Sequence, residues 1–176
     1  YSSEECSVQN FYQPHGGRIQ KFSLNDKNGL LITIGQNNPI KVKDNSIIGK
    51  ILFIGFDNEE PKIISSGHRN TQGLWTNGKM ILSTEHGPRG GDEINNIKIN
   101  KNYGWPVASY GEPYGPKNTE PKFLKDHFDF GYEEPVFNFL KAIGISELIK
   151  LPNSFSNFWQ NNFIVSSLWG HSLFRV

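Results

Sequence analysis

Two polar stretches of the chain concentrate groups that bind ligands. In Gly67-His68-Arg69-Asn70-Thr71-Gln72-Gly73-Leu74, a guanidinium and two carboxamides fall within four residues. A planar fork of N–H donors beside two amides suits one anionic or carbonyl-rich ligand. The second stretch, Glu85-His86-Gly87-Pro88-Arg89-Gly90-Gly91-Asp92-Glu93-Ile94-Asn95, offers the main-chain carbonyls of Gly87 and Pro88 beside the carboxylates of Asp92 and Glu93. Hard oxygen donors of this kind suit Ca2+ far better than Zn2+. Gly90-Gly91 permits close backbone approach, and Pro88 stiffens the turn. Taken singly, each stretch also reads as a solvated turn whose side chains bond turn amides. Two stretches so dense in ligating groups, one hairpin apart, favour a site.

Other chemistries find no support in the chain. His68 and His86 lack the spacing of a His-Glu-x-x-His zinc site, and no Gly-x-Ser-x-Gly, phosphate-binding loop or dinucleotide fingerprint occurs. The single Cys6 excludes an intrachain disulfide and a cysteine zinc site. Asn102-Tyr103-Gly104-Trp105-Pro106 reads equally as an aromatic plug of the core and as part of a site. His15, before Gly16-Gly17-Arg18, reads from its surroundings as an ordinary loop histidine.

The elements that must hold these residues are short. Each ligand-rich stretch follows an apolar run, Ile63-Ile64 or Met80–Leu82, so both are expected as loops leaving strand ends. Similar β-branched and aromatic runs lie at Arg18–Phe22, Leu30–Ile34, Lys50–Ile54, Lys62–Ser65, Lys79–Ser83, Glu93–Ile99, Val136–Leu140, Asn162–Ser167 and Ser172–Val176. Between them 18 Gly and 10 Pro are spread through the chain rather than clustered. Short strands with turn residues between them indicate an all-β sandwich, barrel or propeller. Thr76-Asn77-Gly78 is a hairpin signal. Ile143–Leu151 fits a short helix or a strand. The Pro-rich Gly111–Pro135 has little strand character, and a loop of that length is more often functional than incidental.

Composition narrows the partners. The 176 residues suit one domain or part of a larger one, and a net charge of +1 without a basic run argues against nucleic acid. No apolar run has the length of a membrane-spanning helix. The chain opens at Tyr1 and closes on a strand-like Leu173-Phe174-Arg175-Val176, so it reads as an internal fragment.

The ordered set Gly-His-Arg-Asn-x-Gln-Gly-Leu, Glu-His-Gly-Pro-x-Gly-Gly-Asp-Glu-Ile-Asn and Asn-Tyr-Gly-Trp-Pro resembles the soluble glucose/sorbosone dehydrogenase family. Its members include aldose sugar dehydrogenases dependent on pyrroloquinoline quinone (PQQ). The resemblance implies a six-bladed β-propeller, of which residues 1–176 form a single partial domain, roughly the central half. It also implies PQQ and Ca2+ as cofactors, oxidation of an aldose at C1 to the lactone, an external electron acceptor, and a periplasmic or secreted protein. By the same resemblance Arg69, Asn70 and Gln72 contact PQQ, and the carbonyls of Gly87 and Pro88 hold the Ca2+ bound to it. Asp92 lies next to the cofactor and the base, and Glu93 and Tyr103 match a second, structural Ca2+ site. His15 of Pro-His-Gly-Gly-Arg-Ile resembles the catalytic histidine, with one residue fewer before the Gly pair. In Ser167-Leu168-Trp169-Gly170-His171-Ser172 a Trp stands where many members carry a cofactor-binding Lys. Trp169 lacks that charge but can cover a planar ring. Ile143-Gly144-Ile145-Ser146 replaces a more usual Pro-Ser-Gly-type segment at the sugar pocket. Two other readings stay open: a non-catalytic Ca2+-binding propeller that holds carbohydrate or a protein partner, and a Ca2+-dependent lactonase.

Overall fold

The computed structural model describes residues 16–36, 46–57, 60–116 and 122–176. Twelve strands occur among them: β1 Gly16–Leu24, β2 Lys27–Ile34, β3 Lys50–Gly55, β4 Lys62–Ser66, β5 Thr71–Thr76, β6 Ile81–Glu85, β7 Asp92–Asn96, β8 Lys101–Asn102, β9 Phe137–Phe139, β10 Ile145–Lys150, β11 Phe163–Ser167 and β12 Ser172–Arg175. They form three sheets, ordered β1-β2-β3-β4-β8, β5-β6-β7-β9 and β10-β11-β12. Every pair is antiparallel except β4 with β8. The first strands of the three sheets lie together, β5 packing against β1 on one side and β10 on the other. Three meandering sheets joined through their first strands are three successive blades of a β-propeller.

Alternation along the strands explains the packing. Ile81 faces the first sheet, in a cluster with Leu31, Ile51, Phe53, Ile64 and Leu74. Its neighbour Leu82 faces the third, with Ile94, Ile145, Leu148 and Val165. Adjacent residues of a strand point to opposite faces, so a strand covered on both sides must be apolar or paired at every position. All five residues of β6 are buried.

Two expectations need revision. The polar stretch from Gly67 is a loop only as far as Asn70. Thr71–Thr76 is strand β5, because Thr, Leu and Trp favour a half-buried pleat and the Gly73 irregularity accommodates the ladder. Ile143–Leu151 resolves to the strand alternative, β10, with Ile145 and Leu148 in the core either side of a bulge. The Pro-rich region holds two isolated bridges, Arg89 with Glu112 and Ala108 with Leu124, and a short 3-10 turn at His127–Phe130. Cys6 and His15 lie outside the described residues.

Candidate functional site

Strands β4, β6, β9 and β11 all finish at one end of the blades, so the β4–β5 loop (67–70) and β6–β7 loop (86–91) open side by side. They are joined directly: His86 N–H donates to Asn70 O at 3.0 Å. The first loop is held from beneath by a buried chain of polar groups. Glu85 accepts from the Arg69 main-chain N–H through one oxygen, and its other oxygen meets His68 Nδ1 at 2.9 Å. His68 Nε2 meets Ser65 Oγ at 2.8 Å, and Tyr103 stacks on the imidazole at 5.0 Å between ring centroids. Gln36 N–H donates to Arg69 O at 2.7 Å from above. Sequence reasoning did not single out Glu85 or His68 as a support. Glu85 ends an apolar strand, where a buried carboxylate requires a partner, but that partner, His68, stands 17 residues away and spacing does not mark it.

This support aims the Arg69 side chain across the gap. The residue is 6% exposed, and its Nη1 donates to His86 O at 3.0 Å and to Gly87 O at 2.8 Å. Its guanidinium lies 5.4 Å from the Trp105 ring and 5.9 Å from that of Tyr114. Burial disfavours the charge, while Tyr114, Glu85 and Asp92 favour it. Arg69 Nε is buried with no hydrogen-bond partner among the described residues. An orphaned guanidinium N–H in such a place fits an anionic ligand.

The expected amides are turned to internal use. Asn70 Oδ1 accepts from Gly16 N–H at 3.2 Å and from Gln72 Nε2 at 2.7 Å, tying the loop to the start of β1. Gln72 sits on β5, where its carbonyl also accepts from Arg18 Nε.

The second loop folds back on itself with carbonyls inward. A side chain at Gly87 would collide with the carbonyl oxygens of Gly90 and Gly91, and Gly90 and Gly91 both have positive φ, 81° and 67°. Gly87 O faces Arg69, and Pro88 O accepts from Tyr114 Oη at 2.6 Å. Main-chain oxygens that draw a guanidinium and a hydroxyl fit a hard cation. Among the described residues no group of three His, Cys, Asp or Glu side chains is placed to hold a metal. A cation between these loops would therefore rest on main-chain oxygens and on the ligand it accompanies. Tyr114 was not singled out from the sequence, where it is one aromatic in a Pro-rich segment.

Asp92 begins β7 and is 1% exposed. One of its oxygens accepts from Gly87 N–H at 3.0 Å, and the other from Ile143 and Ile145 N–H at 2.9 and 3.1 Å. Its carboxylate thus staples the 86–91 loop to the segment entering the third blade. Trp169 lies in the β11–β12 turn at the same end, 80% exposed, its main-chain N–H donating to Ile143 O at 3.0 Å.

Glu93 and Tyr103 meet at a cavity of about 10 Å3 that adjoins the same two loops, being lined also by Arg69, Glu85, His86 and Gly87. Glu93 stands opposite Glu85 in the ladder. Burial first, and then the Glu85 charge, hold the Glu93 carboxyl well above the ordinary carboxylate range. The Tyr103 hydroxyl points elsewhere, donating to Asn96 O at 2.6 Å and accepting from Lys98 N–H at 2.9 Å. Burial pushes it up to about 12. Any contribution of Tyr103 to the cavity comes from its main chain or ring.

The fold and the loop pair define a propeller whose blade ends combine a buried arginine with inward carbonyls. The family model for Glucose / Sorbosone dehydrogenase matches residues 13–176, and the chain belongs to that family. It is similar to the aldose sugar dehydrogenase YliI of Escherichia coli (strain K12), 32% identical over an aligned length of 173 that covers 87% of this chain and 44% of that protein. The crystal structure of the soluble aldose sugar dehydrogenase from Escherichia coli in the apo-form superposes with a TM-score of 0.75 at 28% identity, over 91% of this chain and 52% of that one. The PQQ-bound form of the aldose sugar dehydrogenase from Streptomyces coelicolor gives 0.65 at 26% identity, over 92% and 44%. The chain spans about half the length of these relatives, which makes it a partial propeller. Among the described residues no helix is long and apolar enough to cross a membrane.

Proposed function

We propose that the protein to which these blades belong oxidises an aldose at C1 to its lactone, using PQQ with Ca2+ and passing electrons to an external acceptor. The observation that carries this reading is the convergence of Arg69 and the Gly87 carbonyl across the two loops, 2.8 Å apart. Arg69, with a buried N–H that has no partner among the described residues, is suited to the acidic face of the cofactor, and Gly87 and Pro88 are suited to its cation. When bound, the quinone supplies a hydride acceptor, and the cation draws off the negative charge that develops on it.

The chain's own residues would bind, orient and move a proton. His15, by resemblance the base, takes the C1 hydroxyl proton; an imidazole with an ordinary pKa near 6.5 suits that task. Asp92 keeps the metal loop seated against the third blade, and Glu85 keeps Arg69 aimed. Asn70 and Gln72 fix the loop to β1 and β5. Trp169 offers an exposed aromatic face beside the entry segment. Glu93, with Glu85 opposite, is suited to a second cation at the small cavity, where a positive charge would relieve two facing carboxyls. A periplasmic or secreted location accompanies this reading.

The test is reconstitution of the full-length protein with PQQ and Ca2+, followed by dye reduction with a panel of aldoses. Turnover is expected, and His15→Ala is expected to lower it by about 10²- to 10⁴-fold, the usual worth of a general base. Failure to bind PQQ at micromolar concentration would defeat the proposal. The second reading, a non-catalytic propeller that holds carbohydrate, is favoured by the uncharged Trp169 and by the internal commitments of Asn70 and Gln72. Turnover that His15→Ala abolishes rules it out.

A further inference from the structure

The two carbonyl oxygens suited to a cation are already engaged. Gly87 O accepts from Arg69 Nη1 at 2.8 Å, and Pro88 O accepts from Tyr114 Oη at 2.6 Å. The donors arrive from different elements, Arg69 from the β4–β5 loop and Tyr114 from the long segment after β8. A guanidinium therefore occupies the electronegative cradle that a divalent ion needs.

We propose that Arg69 and Tyr114 are place-holders on the 86–91 loop that compete with a cation for its Gly87 and Pro88 carbonyls. Cation binding at Gly87 and Pro88 displaces both, releasing Arg69 to an anionic ligand and freeing the Tyr114 segment. The inference rests on the Ca2+ part of the function proposed above, and assigns to that site a residue, Tyr114, with no counterpart among the expected ligands.

Three observations carry it. Ca2+ sits about 2.3–2.6 Å from its oxygen ligands, so a guanidinium on the same carbonyl would lie within a few ångströms of it, and like charges at that separation repel. Arg69 has unused capacity for another partner, since its buried Nε has no hydrogen-bond partner among the described residues, and its guanidinium lies 5.4 Å from the Trp105 ring and 5.9 Å from that of Tyr114. Tyr114 is 57% exposed, so its ring can leave without opening the core. A consequence is reciprocal coupling. The cation frees Arg69 for the anion, and an anion that draws Arg69 away uncovers Gly87 for the cation, each raising the other's affinity by the same factor.

The experiment is calorimetric titration of Ca2+ into chelator-stripped, PQQ-free, full-length protein, with tryptophan fluorescence followed in parallel. Wild type, Tyr114→Phe and Arg69→Met are compared. Tyr114→Phe is expected to bind Ca2+ about three- to tenfold more tightly, the worth of one neutral hydrogen bond no longer to be broken. Arg69→Met is expected to gain about tenfold or more, because a charged donor is removed. In the wild type Ca2+ should change the tryptophan emission as Arg69 leaves Trp105, and Arg69→Met should abolish that change. Unchanged or weaker binding in Tyr114→Phe overturns the place-holder role even if the wild type binds both Ca2+ and PQQ. No Ca2+ binding by any of the three overturns it together with the Ca2+ reading. Tighter binding in both variants without PQQ uptake by the wild type leaves this inference standing and removes the function.

Discussion

A few charged side chains do most of the organising, and their surroundings decide how. Glu133 is the clearest electrostatic case. Its carboxylate meets Lys98 Nζ at 2.5 Å and Lys101 Nζ at 3.2 Å, and is held below its ordinary range first by the Lys98 bond and then, against some desolvation, by Lys101. A carboxylate with a lowered folded pKa contributes stability that is present above the unfolded value and lost as pH falls through the folded one. Glu133→Gln should therefore lower the melting temperature slightly near neutrality, and the difference should close as pH drops below about 4.3. Both lysines are more than half exposed, so added salt should shrink it too. Melting curves across pH and ionic strength check this; a difference that persists at low pH contradicts it. Glu93 shows the opposite balance, where burial and a facing carboxyl outweigh every favourable contact. Both are acidic residues of the β7 to β9 region, separated in behaviour only by what surrounds them.

Between elements, the loops matter more than the strands that carry them. Asp92 links three main-chain N–H groups from two segments, so its removal would loosen the 86–91 loop and the third blade's entry together. Asp92→Asn leaves one acceptor oxygen for donors that had two and removes a charge-assisted set. It should cost about 2–3 kcal/mol in urea unfolding and weaken cation binding in parallel. An unfolding midpoint within error of wild type would contradict the staple. Much at this scale was legible in the sequence. Short β-branched and aromatic runs such as Leu30–Ile34 and Lys50–Ile54 located β2 and β3, and Asn77-Gly78 located the turn between β5 and β6. Strand β5 was hidden because Thr71, Gln72 and Gly73 look like loop residues until a blade on each side gives their pleat something to face. β10 was ambiguous because Ile145, Leu148 and Ile149 satisfy a helical spacing as well as a bulged strand. The site was half legible. Arg69, Gly87 and Asp92 stood out by type, whereas Glu85 and Tyr114 act through contacts to residues distant in the chain, for which spacing holds no signal.

At the scale of the molecule, the blades bring together what each loop lacks alone. The first sheet ends in the segment that aims Arg69, the second supplies the inward carbonyls, and the third is fastened to both through Asp92 and Glu147. Glu147 pairs with Arg18 at 3.3 Å, joining the first strands of the outer two blades across β5. Ile149 and Leu173 are exposed on the face of the third blade opposite Leu148 and Phe174, the face a neighbouring blade would cover. The proposed function requires Arg69 and the Gly87-Pro88 carbonyls jointly to hold an anionic quinone and its cation. The most direct measurement is equilibrium uptake of PQQ by the full-length protein, read from its visible spectrum, with Ca2+ and with a chelator. Saturable uptake at micromolar PQQ that requires Ca2+, and that Arg69→Ala weakens at least about tenfold, is the predicted result. Uptake indifferent to the chelator and to Arg69→Ala, or no uptake at all, would contradict it.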